Sequence, residues 1–463
     1  MRLDEAIAAL EPREIASGGG PVELADLAYD ARQVSPGALF FCVPGAKADG
    51  HDFAPEAVER GAVALVVERA LDVGVPQLVV PDSRAAMAVV ADAFFGFPTR
   101  DLTVAAVTGT NGKTTTAHLM FSILAAAGKR PGLLGNIERR VGNERRPAVL
   151  NTPEAIDLQR LFREMLDSGN ESVAMEASSH ASALHRLDRT RFAVLVFTNL
   201  TQDHLDFHGS MDEYFEAKRR LFAQADAAAV NLGDEYGRRL AGELPDALTF
   251  GVTGSAAIGP ESLDGVDLKL RGGFNVENAL GALAAGRLLG FDDQTIHRGI
   301  EALEVVPGRF EPVEAGQPFR VIVDFAHTPD SLDRVLRAAR ELTDGRVICV
   351  FGAGGDRDRT KRPKMGRAVA DGADVVVVTS DNPRTEDPIA IIEDIVEGTG
   401  PGAEIEPDRA LAIERALRLA QEGDIVVIAG LSPEQGRHIG GESFPWDDRE
   451  VAREALRRIG AAA

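Results

Sequence analysis

Cysteine is nearly missing from this chain. Only Cys42 and Cys349 occur in 463 residues, each inside an apolar run and without a neighbouring histidine or other base. A disulfide framework is therefore excluded, a reducing compartment is expected, and a nucleophilic thiol has nothing beside it to activate it. No apolar stretch of 18 or more residues occurs, and Met1 opens directly into the charged segment MRLDEA. Neither a membrane span nor a secretory signal is expected, which predicts a soluble, cytoplasmic protein. Positive charge is also short: 50 Lys plus Arg face 72 Asp plus Glu, a net charge of −22. Such a chain repels nucleic acid and anionic membrane, so neither is expected as a partner. A small phosphorylated ligand stays open to it, because a loop of backbone amides does not depend on global charge. There is no HExxH and no cysteine pair, which ranks zinc low. Short-period repeats and low-complexity tracts are absent too.

What is present reads as a folded chain of ordinary make-up, 44% apolar and 26% charged. Its length is too great for one core and suggests two or three domains. Residues 1–99 mix short strands and helices and end in the aromatic, Pro-containing turn FFGFPTR. Residues 100–310 alternate short apolar strands (TVAAV, VAME, VLVFTN) with helical segments, the α/β signature. PGRFEPV, beginning at Pro307, breaks that pattern and reads as a linker. Residues 311–463 contain VIVDF, VICVF, VVVVT and IVVIA, continuous apolar runs of the kind expected for parallel strands buried on both faces.

Residues 107–115 read VTGTNGKTT, between TVAAV and a helix with apolar residues at Leu119, Ile123, Leu124 and Ala127. Gly109 and Gly112 allow successive amides to point at a phosphate. Lys113 places a cation at the terminal phosphates, and Thr114 offers a hydroxyl to Mg²⁺. The helix N-terminus adds its partial positive charge. A full P-loop has glycine where Val107 stands, so GTNGKT is a shortened form. A nucleotide site at Gly109, Thr110, Asn111, Gly112, Lys113, Thr114 and Thr115 follows.

Two later loops carry metal-type residues: MEASSH (175–180) after one strand and NLTQDHLDFHGSMDEYFEAKRRLF (199–222) after the next. Four of the nine histidines fall between His180 and His208. Glu176 and His204 suit a divalent cation, although a hard cation prefers oxygen and a histidine ligand needs carboxylate support. Lys218 lies on a helical segment, where a solvated lysine is the default expectation.

Together GTNGKTT, MEASSH, TNLTQDHLDFHGSMDEYFEAK, FNVENALGALAA, VPGRFE, VDFAHTPDSL, VFGAGGDRDRTKRPKMG and SDNPR resemble the Mur ligase family, and the resemblance covers nearly the whole chain, including YDARQVSPGALFFCVPG and ADGHDF. The resemblance implies three α/β domains: a smaller N-terminal domain binding a UDP-sugar (1–99), a central P-loop-type parallel-sheet ATPase domain (100–310) and a C-terminal Rossmann-like domain binding an amino acid (311–463). FGAGGDRDRTKRP with DNPR points to members that add a diamino acid rather than to sister ligases or folylpolyglutamate synthetase. The implied reaction consumes ATP, makes an acyl phosphate on UDP-MurNAc-L-Ala-D-Glu and joins it to a diamino acid, in a monomeric enzyme.

Residue by residue, the resemblance places ATP on Gly109 to Thr115, Asn275, Asn278, Arg309 and Asp324. Catalytic roles fall on Lys113, Glu176, His204 and Lys218, and Mg²⁺ falls on Thr114, Glu176, His204 and Lys218. In the family this lysine is carbamylated, which answers the hard-cation objection. The UDP-substrate falls on Asp30, Asn151, Thr152, Ser178 and Arg186, and the incoming amino acid on Arg357, Asp381, Asn382, Pro383, Arg384, Gly430 and Glu434. The C-terminal runs end in DFAH, GAGGDRD, SDNPR and AGLSPE, and in a parallel sheet these loops gather on one ligand-binding edge. There Arg357 and Arg384 are placed to grip a carboxylate. Arg384 argues for meso-diaminopimelate, with L-lysine and L-ornithine as alternatives and a folylpolyglutamate-synthetase-like ligase as a more distant one. Three departures stand out: GLSPE replaces GKGHE, DAR at Ala31 replaces DSR, and Leu184 stands where Gln is common.

Overall fold

The computed structural model describes residues 1–16, 22–45, 48–148, 150–431 and 436–462. Their strands form three larger sheets and one hairpin. The first sheet runs Glu14–Ala16, Gln77–Val79, Ala62–Val67, Ala38–Phe41, Asp26–Ala28, parallel except at the Glu14–Ala16 edge. Its core borrows Ala155 and Ile156 from the helix Ala155–Asp167 of the central unit. Tyr29 Oη donates to Asp157 at 2.6 Å, which pins the two units together.

In the central sheet six parallel strands are ordered Leu248–Phe250, Ala228–Asn231, Val194–Phe197, Thr103–Thr108, Ser172–Glu176, Pro131–Leu134. An antiparallel meander of Glu138–Val141 and Glu144–Pro147 extends one side. Thr103–Thr108 thus lies between the strands that lead into MEASSH and NLTQDH. The register sets Glu176 against Val107 and Phe197 against Thr108, so all three loops leave at one level. The helices Lys113–Ala126 and Gly273–Leu288 are buried around most of their circumference, enclosed by protein rather than lying on the surface. They pack together over one face of this sheet.

The third sheet has the order Glu311–Pro312, Arg320–Asp324, Ile425–Ala429, Val347–Phe351, Val375–Val378, Glu404–Ile405. Every pair is parallel except the first. The four apolar runs read from sequence are its four middle strands, covered on one face by Pro329–Arg340, Arg362–Gly372 and Pro388–Thr399 and on the other by Arg409–Leu419 and Asp448–Ala462. Thr328 caps Pro329–Arg340 through a capping box with Ser331, fixing where that helix starts beside the cleft. PGRFEPV does more than link. Glu311–Pro312 forms an edge strand, and Arg309 reaches back to the central unit.

The C-terminal unit is closed onto the central one. Gln202 Nε2 donates to Asp358 at 2.9 Å and to Thr360 at 3.1 Å, and Asn111 Nδ2 donates to Asp330 at 2.9 Å. No helix among the described residues is long and apolar enough to cross a membrane.

Candidate active site

The phosphate loop follows the strand Thr103–Thr108 and ends in the helix Lys113–Ala126. Its shape is dictated by crowding. A Cβ on Gly109 would stand 1.9 Å from Thr198 Oγ1, and one on Gly112 would stand 2.2 Å from Asn278 Oδ1, at φ values of 151° and 86°. The neighbouring strand's loop stitches this one in place: Thr110 N donates to Asn199 O and Asn111 N to Asn199 Oδ1, both at 2.9 Å. Thr198 Oγ1 donates to Asn111 O at 2.7 Å.

Two lysines converge on this loop. Lys113 Nζ donates to Gly109 O at 3.0 Å and Thr110 O at 2.7 Å, and Lys218 Nζ donates to the same Gly109 O at 2.7 Å. Lys218 is 1% exposed, on the inner face of the helix Met211–Arg219 and over the Tyr214 ring. The solvated lysine that helix composition suggests is therefore corrected: tertiary packing brings this residue inside. Burial, reinforced by the nearby Lys113 cation, lowers the Lys218 amine well below the ordinary lysine value. Burial lowers Lys113 as well, while Glu176 and Asp203 oppose that shift.

Glu176 is 1% exposed at the end of its strand. Its Oε1 accepts from Asn136 N at 2.8 Å and its Oε2 from Asn151 Nδ2 at 3.2 Å. Thr152 Oγ1 donates to Glu176 O at 3.2 Å, and Arg186 Nη1 donates to Thr152 O at 3.2 Å. Ser178 Oγ caps the short helix Ser179–Ala183 by accepting from Ala181 N.

His204 sits in left-handed backbone at φ 54°. Its ring is half-buried and packs edge-on against His180, with centroids 4.7 Å apart. Burial lowers its pKa well below the ordinary histidine value, outweighing Asp203. His180 is likewise held down to about 4, by burial first and then by Arg357. The buried Nδ1 of His204 has no hydrogen-bond partner among the described residues. No three His, Cys, Asp or Glu side chains are grouped as ligands among those residues. A buried lone pair, a buried carboxylate and the Thr114 hydroxyl still fit a hard divalent cation, provided Lys218 adds oxygen to the set.

Across the cleft, Arg309 Nη2 donates to Thr114 Oγ1 at 3.1 Å, and its guanidinium covers the Phe325 ring at 4.6 Å. Asp324 braces that turn by accepting from Phe310 N and Ala326 N, both at 2.7 Å, and burial raises its pKa. Arg384 Nη1 donates to Gly355 O at 2.9 Å. Burial and the neighbouring Arg357 both press on the Arg384 guanidinium and lower its pKa. Asp381 lies against Gly430, and Asn382 Oδ1 accepts from His438 N at 2.7 Å.

A cavity of about 510 Å³ joins these groups. It is lined by Thr110 through Thr115, Asn151, Thr152, Glu176, Ser178, Arg186 and His204 from the central unit. Asn278, Arg309, Asp324, Arg357, Asp381, Asn382, Arg384 and Gly430 complete the set of expected residues on it. Gly109, Lys218, Asn275 and Pro383 are absent from the lining and lie behind it: Asn275 Oδ1 accepts from Asn278 Nδ2, and Pro383 O abuts Gly355. Asp30 is not on this cavity; it caps the turn Ala31–Gln33 and pairs with Arg32 at 2.7 Å. Glu434 lies outside the described residues. The lining also includes Asn136, Asp203, His327, Arg334 and Lys361, to which sequence reasoning assigned nothing. Asp203, His327 and Lys361 do stand inside the quoted motifs TQDHLD, DFAH and DRTKRP, but only the tertiary fold makes them neighbours.

A phosphate loop that shares one cleft with several guanidiniums defines a nucleotide-binding α/β protein. Known proteins carry the assignment further. Residues 24–95 match the catalytic domain of the Mur ligase family, residues 107–286 its middle domain and residues 308–431 its glutamate ligase domain. The UDP-N-acetylmuramoyl-L-alanyl-D-glutamate--2,6-diaminopimelate ligase of Geobacillus thermodenitrificans is 45% identical over 99% of both chains. That of Streptomyces coelicolor is 44% identical over 96% of this chain and 94% of its own. A solved structure of a ligase with the same name aligns at TM-score 0.66 and 31% identity over 99% of each chain. Folylpolyglutamate synthase of Mycobacterium tuberculosis, complexed with ADP and AMPPCP, shares the fold at TM-score 0.60 and 17% identity over 81% of this chain and 95% of its own. The chain belongs to the Mur ligase family and is a ligase.

Proposed function

We propose that this enzyme joins meso-2,6-diaminopimelate to UDP-MurNAc-L-Ala-D-Glu, consuming ATP and releasing the UDP-MurNAc-tripeptide, ADP and phosphate. It works in the cytoplasm as a single chain with domain limits near residues 99 and 310. The observation that carries the reading is that Arg357 and Arg384, near enough for one charge to act on the other, line the same 510 Å³ cavity as Lys113. A diamino acid with a second carboxylate matches them; L-lysine and L-ornithine do not.

The chemistry follows from the surroundings. ATP lies on the amides of 109–115, with Lys113 beside the transferring phosphoryl and Asn278, Arg309 and Asp324 around the nucleoside. Asn151, Thr152, Ser178 and Arg186 hold the sugar-peptide so that its D-glutamyl carboxylate faces the γ-phosphorus. A carboxylate oxygen attacks phosphorus and ADP leaves, giving an acyl phosphate. The acceptor's neutral amine then attacks the acyl carbon, phosphate leaves and the amine's proton passes to solvent. Closure keeps water from the acyl phosphate. Mg²⁺, when bound, screens the repulsion between carboxylate and γ-phosphate. Thr114, Glu176, His204 and Lys218 are the residues that would hold it, Lys218 as its carbamate. A neutral buried amine adds to CO₂ with loss of one proton, and the lowered pKa of Lys218 supplies that amine. After equilibration with ¹³CO₂, the protein should show a carbamate carbon signal that disappears in Lys218→Ala; no such signal would remove Lys218 from the ligand set.

The deciding experiment is an acceptor panel of meso-diaminopimelate, L-lysine and L-ornithine, compared by kcat/KM with and without the UDP-sugar dipeptide. Diaminopimelate should lead, and ADP should form only with the dipeptide present. Arg384→Ala should weaken diaminopimelate selectively by about 2–5 kcal/mol, the cost of stranding a buried charge. Equal losses for all three acceptors would make Arg384 scaffolding, and good use of ornithine would overturn the acceptor assignment.

A further inference from the structure

Asp203 is a buried carboxylate in which the central unit and the C-terminal unit meet. Its Oδ1 lies 3.2 Å from Lys361 Nζ, and its Oδ2 lies 3.5 Å from His327 Nε2; both partners belong to the C-terminal unit. The same Oδ2 lies 3.4 Å from Nε2 of His204 on its own loop. Lys361 is 5% exposed, as is Asp203, so this ion pair is fully enclosed by the closed cleft. Isolated at such depth, a carboxylate and an ammonium would each pay a large desolvation cost, and the pair exists because closure brings the second charge to the first.

His204 links this ion pair to the phosphate site. Of its two ring nitrogens, Nε2 faces the carboxylate, and the buried Nδ1 has no hydrogen-bond partner among the described residues. Assigned from these surroundings, the proton sits on Nε2 and the Nδ1 lone pair is left free. A carboxylate behind a histidine is the usual means of fixing which nitrogen a cation meets. We propose that Asp203 is a positioning residue: it holds the His204 tautomer, and docking of Lys361 and His327 holds Asp203, so that domain closure and cation binding are one event. The proposal rests on the reading of His204 as a cation ligand.

The full-length enzyme with ADP can be titrated with Mn²⁺ and followed by electron paramagnetic resonance, using Asp203→Asn, Lys361→Met, their double variant and His204→Asn. Asp203→Asn should raise the half-saturating Mn²⁺ by about 10- to 100-fold. Lys361→Met should raise it by a smaller factor, and the double variant should be no worse than Asp203→Asn alone. In histidine-¹⁵N spectra the His204 nitrogens should show the Nε2-protonated pattern in the native enzyme and a mixed one in Asp203→Asn. Native Mn²⁺ affinity in Asp203→Asn, an unchanged His204 pattern, or a double variant whose loss is the product of the single losses overturns the proposal. If His204→Asn binds Mn²⁺ as the native enzyme does, the ligand reading itself fails and takes the proposal with it. Should Asp203→Asn fail to fold, Lys361→Met decides alone, since a native titration there leaves closure uncoupled from the cation site.

Discussion

Gly109 shows how little room single residues have at this site. Its carbonyl accepts from both Lys113 and Lys218, while its α-carbon lies against the Thr198 hydroxyl that also holds Asn111. A methyl group there cannot be accommodated by rotating a side chain, because Thr198 is tied to the loop it would have to leave. Gly109→Ala is expected to displace the loop and both amines by an amount of the order that costs about 10²-fold in kcat/KM. The fold should survive, since the strand beneath is untouched. Kinetics together with a thermal melt check this: near-native kcat/KM would show the crowding to be slack. GTNGKT was readable in the chain because glycines, lysine and threonine act on their immediate neighbours. The burial of Lys218 was not, because Tyr214 and Gly109 enclose it only after the helix Met211–Arg219 packs.

Among whole elements, the decisive fact is strand order. Sequence shows that VTGTNGKTT, MEASSH and NLTQDH each follow an apolar strand, yet not that Thr103–Thr108 is flanked by the other two. That adjacency converts three separate motifs into one edge, as β-branched runs such as VICVF convert four C-terminal motifs into the opposing edge. Hidden from sequence as well is the hairpin of Arg437–Ile439 and Glu442–Phe444. It docks on the loop 381–384, the proposed acceptor loop, through Arg384 N to His438 O at 2.9 Å and Gly440 N to Arg384 O at 2.7 Å. His438 N also satisfies the Asn382 amide oxygen. His438→Pro deletes that donor and leaves a buried acceptor unpaired, a cost of about 1–3 kcal/mol. The acceptor KM should rise roughly tenfold while the ATP KM stays put, because the phosphate loop lies on the other sheet. A parallel rise in both would mean that the hairpin supports the fold at large rather than the acceptor loop.

At the scale of the molecule two opposing fields act on anionic substrates. The chain carries −22 overall, but the cleft is lined by Lys113, Arg186, Arg309, Arg334, Arg357, Lys361 and Arg384 against Glu176, Asp203, Glu277, Asp324 and Asp381. The repulsive field comes from charges spread over the whole surface and reaches far when salt is low, with a screening length of about 30 Å at 0.01 M and 10 Å at 0.1 M. The attractive one is confined between low-dielectric walls and is screened less. Added salt should therefore remove the repulsion first. The association rate constant of a fluorescent ATP analogue, measured by stopped flow, should climb from about 10 to 100 mM salt and decline only above that range, where the cleft itself is screened. A steady fall from the lowest salt onward would mean that the lining cations dominate at every distance and that the acidic surface plays no part in substrate approach.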